Sequence, residues 1–159
     1  MILKPDYNVV SLFDIDFKEI KSLGVHAVLF DLDSTVMPSK SGEFPPKVKE
    51  LLEELRHNFV VAIISNNKNK AYIDKVQSQV SFSVIGHANK PSSKIMREFL
   101  KTVNIQPNEA VVVGDRPLTD ILAGKFLGAK TILVDSITKD TENKPTRFVR
   151  KLERLVIRK

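Results

Sequence analysis

Two rhythms of apolar and polar residues run along this chain. Consecutive apolar residues, many of them β-branched, occur at 25–30, 59–64, 82–85, 110–113 and 131–134. Most of these runs are near-continuous, which predicts parallel strands covered on both faces, since half-exposed strands would alternate. Between them the spacing becomes helical. Val48, Leu51, Leu52 and Leu55 fall at i, i+3, i+4 and i+7 after Pro46, a residue suited to a first helical turn. Ile95, Met96, Phe99, Leu100 and Val103 form a second stripe opened by Pro91-Ser92-Ser93, and a third helix is predicted from Pro117 to Leu127, stopped by Gly128. Weaker helical patterns cover 16–22 and 68–78. These stripes read as core faces. Repeated strand–helix–strand units predict an α/β fold, a doubly wound and mostly parallel sheet with right-handed crossovers.

Composition narrows the class. The chain has 159 residues, 42% hydrophobic and 28% charged, as expected for one globular domain over 1–159. No apolar run approaches membrane-span length, and Met1-Ile2-Leu3-Lys4-Pro5-Asp6 lacks the layout of a secretory signal. The absence of cysteine excludes disulfides, thiolate metal sites and a cysteine nucleophile, and fits a cytoplasmic location. The net charge of +6 lies wholly in residues 144–159, where seven Lys and Arg face Glu153. With Phe148, Leu152, Leu155 and Val156 on one helical face, a basic amphipathic helix is expected at about 144–158. It either packs on the sheet with a solvated basic face or lies peripherally on an anionic membrane, and both can hold at once.

The candidate chemistry sits just beyond the strand ends. Asp31-Leu32-Asp33-Ser34-Thr35 follows the first run, Ser65-Asn66 the second, Lys90 comes shortly after the third, and Gly114-Asp115 the fourth. In an open parallel α/β sheet, ligands bind in the crevice beyond the carboxyl ends of the strands. Two acids one residue apart on an extended backbone would face the same side and repel, unless a hard cation such as Mg2+ accepts their oxygens. Two acids, a hydroxyl, a cation and a third acid form a coherent phosphate-plus-metal set. Taken singly, each has a plainer alternative: turn or N-cap acids, an N-cap serine, a solvated loop lysine.

As a set, these residues resemble the haloacid-dehalogenase-like (HAD) phosphatases. Asp31-Leu32-Asp33-Ser34-Thr35 matches their DxDxT motif, Ile64-Ser65-Asn66 the strand ending in Ser or Thr, Lys90-Pro91 the motif lysine, and Gly114-Asp115-Arg116-Pro117-Leu118-Thr119-Asp120 the last acidic motif. The flanks Leu3-Lys4-Pro5-Asp6 and Arg147-Phe148-Val149-Arg150-Lys151-Leu152-Glu153 are similar to the capless YqeG-type subfamily, which is similar to the mitochondrial and plastid phosphatidylglycerophosphate phosphatases. Ser34 and Arg116 depart from it, standing where those relatives usually carry Asn and Gln.

The resemblance implies a Rossmann-like HAD core and a role for each residue. Asp31 becomes the nucleophile that forms an aspartyl-phosphate, and Asp33 the acid and then base. Asp31, Asp115 and the backbone carbonyl of Asp33 become Mg2+ ligands, while Asp120 either binds the metal through water or opposes the helix dipole. Ser65 and the amide of Asn66 hold phosphoryl oxygens at a helix N-terminus, and Lys90 neutralises them. Thr35 and Arg116 complete the substrate-binding set, Thr35 chiefly by ordering its loop. His26, His57 and His87 have no metal-ligand spacing, and Lys68 and Lys70 read as a solvated rim.

The segments 34–64 and 66–89 leave room for a flap near Met37–Pro45 but not for a lid domain. An open site suits a large or membrane-held ester, and the resemblance implies a lipid phosphate, phosphatidylglycerophosphate, as the substrate. A sugar, nucleotide or protein phosphate is the alternative within the enzyme class. Outside it stand a phospho-receiver module and a non-catalytic polyanion-binding module, although nucleic acid is not an expected partner.

Overall fold

The computed structural model describes residues 3–137, so the expected basic helix at 144–158 lies outside the described residues. Six strands form one sheet: β1 (Tyr7–Asn8), β2 (Ala27–Phe30), β3 (Val60–Ile64), β4 (Ser83–Ile85), β5 (Ala110–Gly114) and β6 (Lys130–Leu133). Their order is β1-β6-β5-β2-β3-β4 and every pairing is parallel. The order therefore reverses between β2 and β5, where an α/β sheet opens a crevice at the strands' carboxyl ends.

Alternation along each strand divides the core in two. Val28, Phe30, Val61, Ile63, Val111 and Val113 face one side, with Ile20 of α1 (Phe17–Ser22), Val48, Leu52 and Leu55 of α2 (Pro46–Leu55), and Val76 of α3 (Lys70–Gln77). Ala27, Leu29, Ala62, Ile64, Ala110 and Val112 face the other, against Met96, Phe99 and Leu100 of α4 (Lys94–Thr102) and Ala123 and Leu127 of α5 (Leu122–Leu127). Burial on both faces explains why these strands read as unbroken apolar runs.

The five predicted strands all form, with ends shifted by at most two residues. β1 was not legible, because two residues offer no period. It is held at the sheet edge by Asp6, whose Oδ2 accepts from the Thr131 amide at 2.8 Å, the Thr131 hydroxyl at 3.1 Å and Lys125 Nζ at 3.3 Å. The flank Leu3-Lys4-Pro5-Asp6 thus includes the clamp that fixes an edge strand. The third predicted helix differs in its first turn. Pro117–Ile121 is a π-helical turn, and regular α-helix begins only at Leu122 before ending at Gly128, whose φ of 90° suits a glycine C′ position.

Candidate active site

Strand register places the motif residues at one rim. Phe30 lies level with Val113 of β5 and Ile63 of β3, so Asp31, Gly114-Asp115 and Ile64-Ser65 leave the sheet side by side. The Asp31 amide continues the ladder by donating to the Val113 carbonyl at 2.9 Å. Beyond it the backbone turns sharply. Ser34 has φ 72°, and its amide donates to the Met37 carbonyl at 2.8 Å. The strand has ended before Asp33, so the two motif acids take different partners.

Asp31, Asp115 and Asp120 each place a carboxylate oxygen within 4.8 Å of the others. Lys90 Nζ sits against this cluster, 2.6 Å from Asp31 Oδ1 and 2.8 Å from Asp120 Oδ1. The Lys90 and Asp120 side chains are 2% and 1% exposed, and that of Asp31 is 14% exposed. The Thr35 hydroxyl is 2.8 Å from Asp115 Oδ1 and 3.3 Å from Asp31 Oδ2. Thr35 is fully buried, so it bridges two acids and orders the loop.

The electrostatics follow from this crowding. Burial disfavours the Lys90 charge, but Asp120 and Asp31 outweigh it and hold the ammonium well above its ordinary range. Asp120 is pushed up to about 6, by burial first and then by Asp31, against the opposing pull of Lys90. Three carboxylates and one ammonium carry a formal charge of −2, which a divalent cation balances. An all-oxygen donor set suits a hard ion, and three carboxylate oxygens within 4.8 Å of one another could hold a divalent cation such as Mg2+.

Asp120 reaches the cluster because of two local features. Its amide and that of Ile121 both donate to the Arg116 carbonyl, at 2.8 and 3.4 Å, in the widened turn. A Cβ on Gly114 would lie 2.3 Å from Asp120 Cβ, a space only glycine leaves open. The sequence left this acid between metal chemistry and a dipole effect; its buried pairing with Lys90 places it in the cluster.

Asp33 stands apart. Its carboxylate is not among the clustered oxygens. Asp33 Oδ1 instead accepts from the Tyr72 hydroxyl at 2.6 Å and from the Lys40 amide at 2.9 Å. Burial, then Asp33 itself, holds the Tyr72 phenol above its ordinary range and so protonated. Sequence reasoning gave Tyr72 no role. Nothing local signals it, because the contact joins residues 39 positions apart.

The helix N-terminus expected at Ser65-Asn66 is not there. α3 begins at Lys70 with Asn69 as its N-cap, so Ser65 to Lys68 form an irregular loop. Ser65 Oγ accepts from the Asn67 amide at 3.0 Å. The Asn66 side chain grips the Lys90 backbone twice, accepting from its amide at 2.6 Å and donating to its carbonyl at 3.0 Å. Asp31, Asp33, Ser65, Asn66, Lys90, Arg116 and Asp120 line one cavity of about 290 Å3. A larger groove, about 440 Å3 beside Phe17, Leu51 and Phe59, lies at the strands' other end, away from the acids. The segment 37–45, expected as a flap, forms no helix or named strand, and its Ser39 and Lys40 line the cavity. No lid domain is inserted among the described residues, and none of their helices is long and apolar enough to cross a membrane.

The chain is similar to known phosphatases. Residues 1–138 match the family model described as mitochondrial PGP phosphatase. The chain is 30% identical over 154 residues to "Probable phosphatase YqeG" of Bacillus subtilis, covering 96% of this chain and 88% of that protein. It is 27% identical over 164 residues to the chloroplastic/mitochondrial phosphatidylglycerophosphate phosphatase 1 of Arabidopsis thaliana, but spans only 47% of that protein's length. Among solved structures, a HAD phosphatase from Thermococcus onnurineus superposes with a TM-score of 0.57 at 15% identity, covering 83% of this chain and 98% of that one. At that identity it speaks for the fold.

Proposed function

Because the chain belongs to the PGP phosphatase family of HAD phosphatases, we propose that it cleaves phosphate monoesters through an aspartyl-phosphate on Asp31 and acts on phosphatidylglycerophosphate. The observation that carries this reading is the buried cluster of Asp31, Asp115 and Asp120 closed by Lys90 at the strand rim.

The Asp31 carboxylate bonds to phosphorus as the ester P–O bond breaks, and Asp33 gives its proton to the departing alkoxide. Asp33 then takes a proton from water, whose oxygen bonds to phosphorus as the Asp31–phosphorus linkage breaks and phosphate leaves. Asp31, Asp115 and the Asp33 carbonyl would hold Mg2+, with Asp120 beside them. A bound Mg2+ supplies positive charge that offsets carboxylate–phosphate repulsion. Lys90 holds Asp31 in place and meets the phosphoryl oxygens, and Ser65, Asn66 and Arg116 line the space they enter. Thr35 serves the site by joining Asp31 to Asp115.

An open cavity with no lid inserted among the described residues suits a substrate held by a membrane, and the basic segment 144–159 adds attraction to an anionic surface. Inorganic phosphate release from phosphatidylglycerophosphate micelles and from soluble sugar, nucleotide and peptide phosphates tests the substrate. A clear preference for soluble metabolites overturns the lipid assignment. Asp31→Asn and chelation of magnesium are each expected to abolish release from all esters, and unchanged turnover by Asp31→Asn refutes the nucleophile.

A further inference from the structure

The acid–base carboxylate is held by groups that none of the matched motifs contains. Asp33 Oδ1 receives the Tyr72 hydroxyl at 2.6 Å and the Lys40 amide at 2.9 Å. An amide can only donate, so Oδ1 is an acceptor there, and the proton that Asp33 transfers belongs on Oδ2.

α3 secures this arrangement from behind. The Tyr72 hydroxyl also lies 3.6 Å from Met37 Sδ. One turn further on, Lys75 meets Glu43 at 3.3 Å, and just past the helix end the Gln79 side-chain amide donates to the Gly42 carbonyl at 2.7 Å. A Cβ on Gly42, whose φ is 67°, would crowd both Lys75 and Tyr72. The loop that offers the Lys40 amide is therefore seated on the helix that offers the phenol.

We propose that Tyr72 is a positioning residue for proton transfer: it fixes the Asp33 carboxylate so that one oxygen faces the helix and the other faces the scissile ester. It touches no reacting atom and acts through Asp33. The proposal rests on the acid–base role assigned to Asp33 above.

Leaving-group dependence separates this role from a structural one. A phenoxide departing from phenyl phosphate needs its proton, whereas dinitrophenoxide departs unaided. In the full chain with Mg2+, Tyr72→Phe is expected to lower kcat/KM for phenyl phosphate on the order of 10-fold, the loss of one hydrogen bond to a charged group. For 2,4-dinitrophenyl phosphate it should change by about 2-fold or less. Gln79→Ala, which loosens the loop without touching Asp33, is expected to lower both in equal proportion.

An equal loss with both substrates in Tyr72→Phe, or no loss with either, overturns the inference. So does the same discrimination in Gln79→Ala. Asp33→Asn supplies the reference: it should discriminate more strongly than Tyr72→Phe. If Asp33→Asn discriminates and Tyr72→Phe does not, the positioning role alone fails. If Asp33→Asn does not discriminate, the acid–base reading falls and takes the positioning role with it.

Discussion

Gly114→Ala tests whether the packing of β5 against the π-helical turn builds the acidic cluster. The new methyl carbon would sit 2.3 Å from Asp120 Cβ and 2.4 Å from both Cγ and Oδ2. Carbon atoms in contact prefer about 3.5–4.0 Å, so Asp120 must retreat by more than about 1 Å. That retreat breaks its 2.8 Å bond to Lys90 and its 3.2 Å bond from the Arg116 amide. Overpacking alone costs about 1–3 kcal/mol. Breaking a buried ion pair costs up to about 3–5 kcal/mol more, toward the lower end here because Lys90 keeps Asp31. A loss of about 4–6 kcal/mol is expected, a large share of the about 5–15 kcal/mol that holds a typical domain folded. Urea unfolding in the presence of chelator measures it. The three nearest atoms all belong to the Asp120 side chain, so most of the cost should be relieved when Asp120 is already glycine. The double-mutant cycle of Gly114→Ala with Asp120→Gly should therefore give a coupling of about 3–5 kcal/mol. A cost below about 1 kcal/mol for Gly114→Ala, or the same cost in both backgrounds, would refute the reasoning.

The Asp120 carboxyl also makes the metal-free protein sensitive to pH. Its folded value of about 6 lies above the ordinary 3.8, so the fold binds a proton that the unfolded chain has already released. The stabilisation this brings is complete below pH about 4 and is lost as pH rises through about 6. Thermal melts in chelator should show that decline and Asp120→Asn should lack it; an identical slope in the variant would disprove the assignment. Asn66→Ala removes both side-chain bonds to the Lys90 backbone, at 2.6 and 3.0 Å, and should cost about 2 kcal/mol in chemical denaturation. A change within about 0.5 kcal/mol would show that the clamp contributes nothing to stability.

Linear pattern alone was enough to determine the layered α/β architecture. Residues such as Val28-Leu29-Phe30 and Val111-Val112-Val113 are apolar on both faces of an extended backbone, and only a sheet covered on both sides buries them. The motif order then placed Asp31, Ser65, Lys90 and Asp115 just past strand ends, and parallel pairing carries strand ends to one rim. β1 escaped notice because its stability comes from Asp6 meeting Thr131, a contact across 125 positions that no local period encodes.

Which partners each acid meets was decided by tertiary structure. From spacing, Asp31 and Asp33 looked like a mutually repelling pair, since strand alternation places i and i+2 on one side. The strand ends at Phe30, before either acid, and Asp120 becomes the crowded partner of Asp31 because Gly114 leaves space and the π-helical turn fills it. Asp33 goes instead to Tyr72, which the sequence marks only as part of a weak amphipathic helix. Chain pattern records which residues must leave water and which strands end in polar groups. It does not record which buried charges meet, because that depends on sub-ångström packing between segments the sequence keeps far apart.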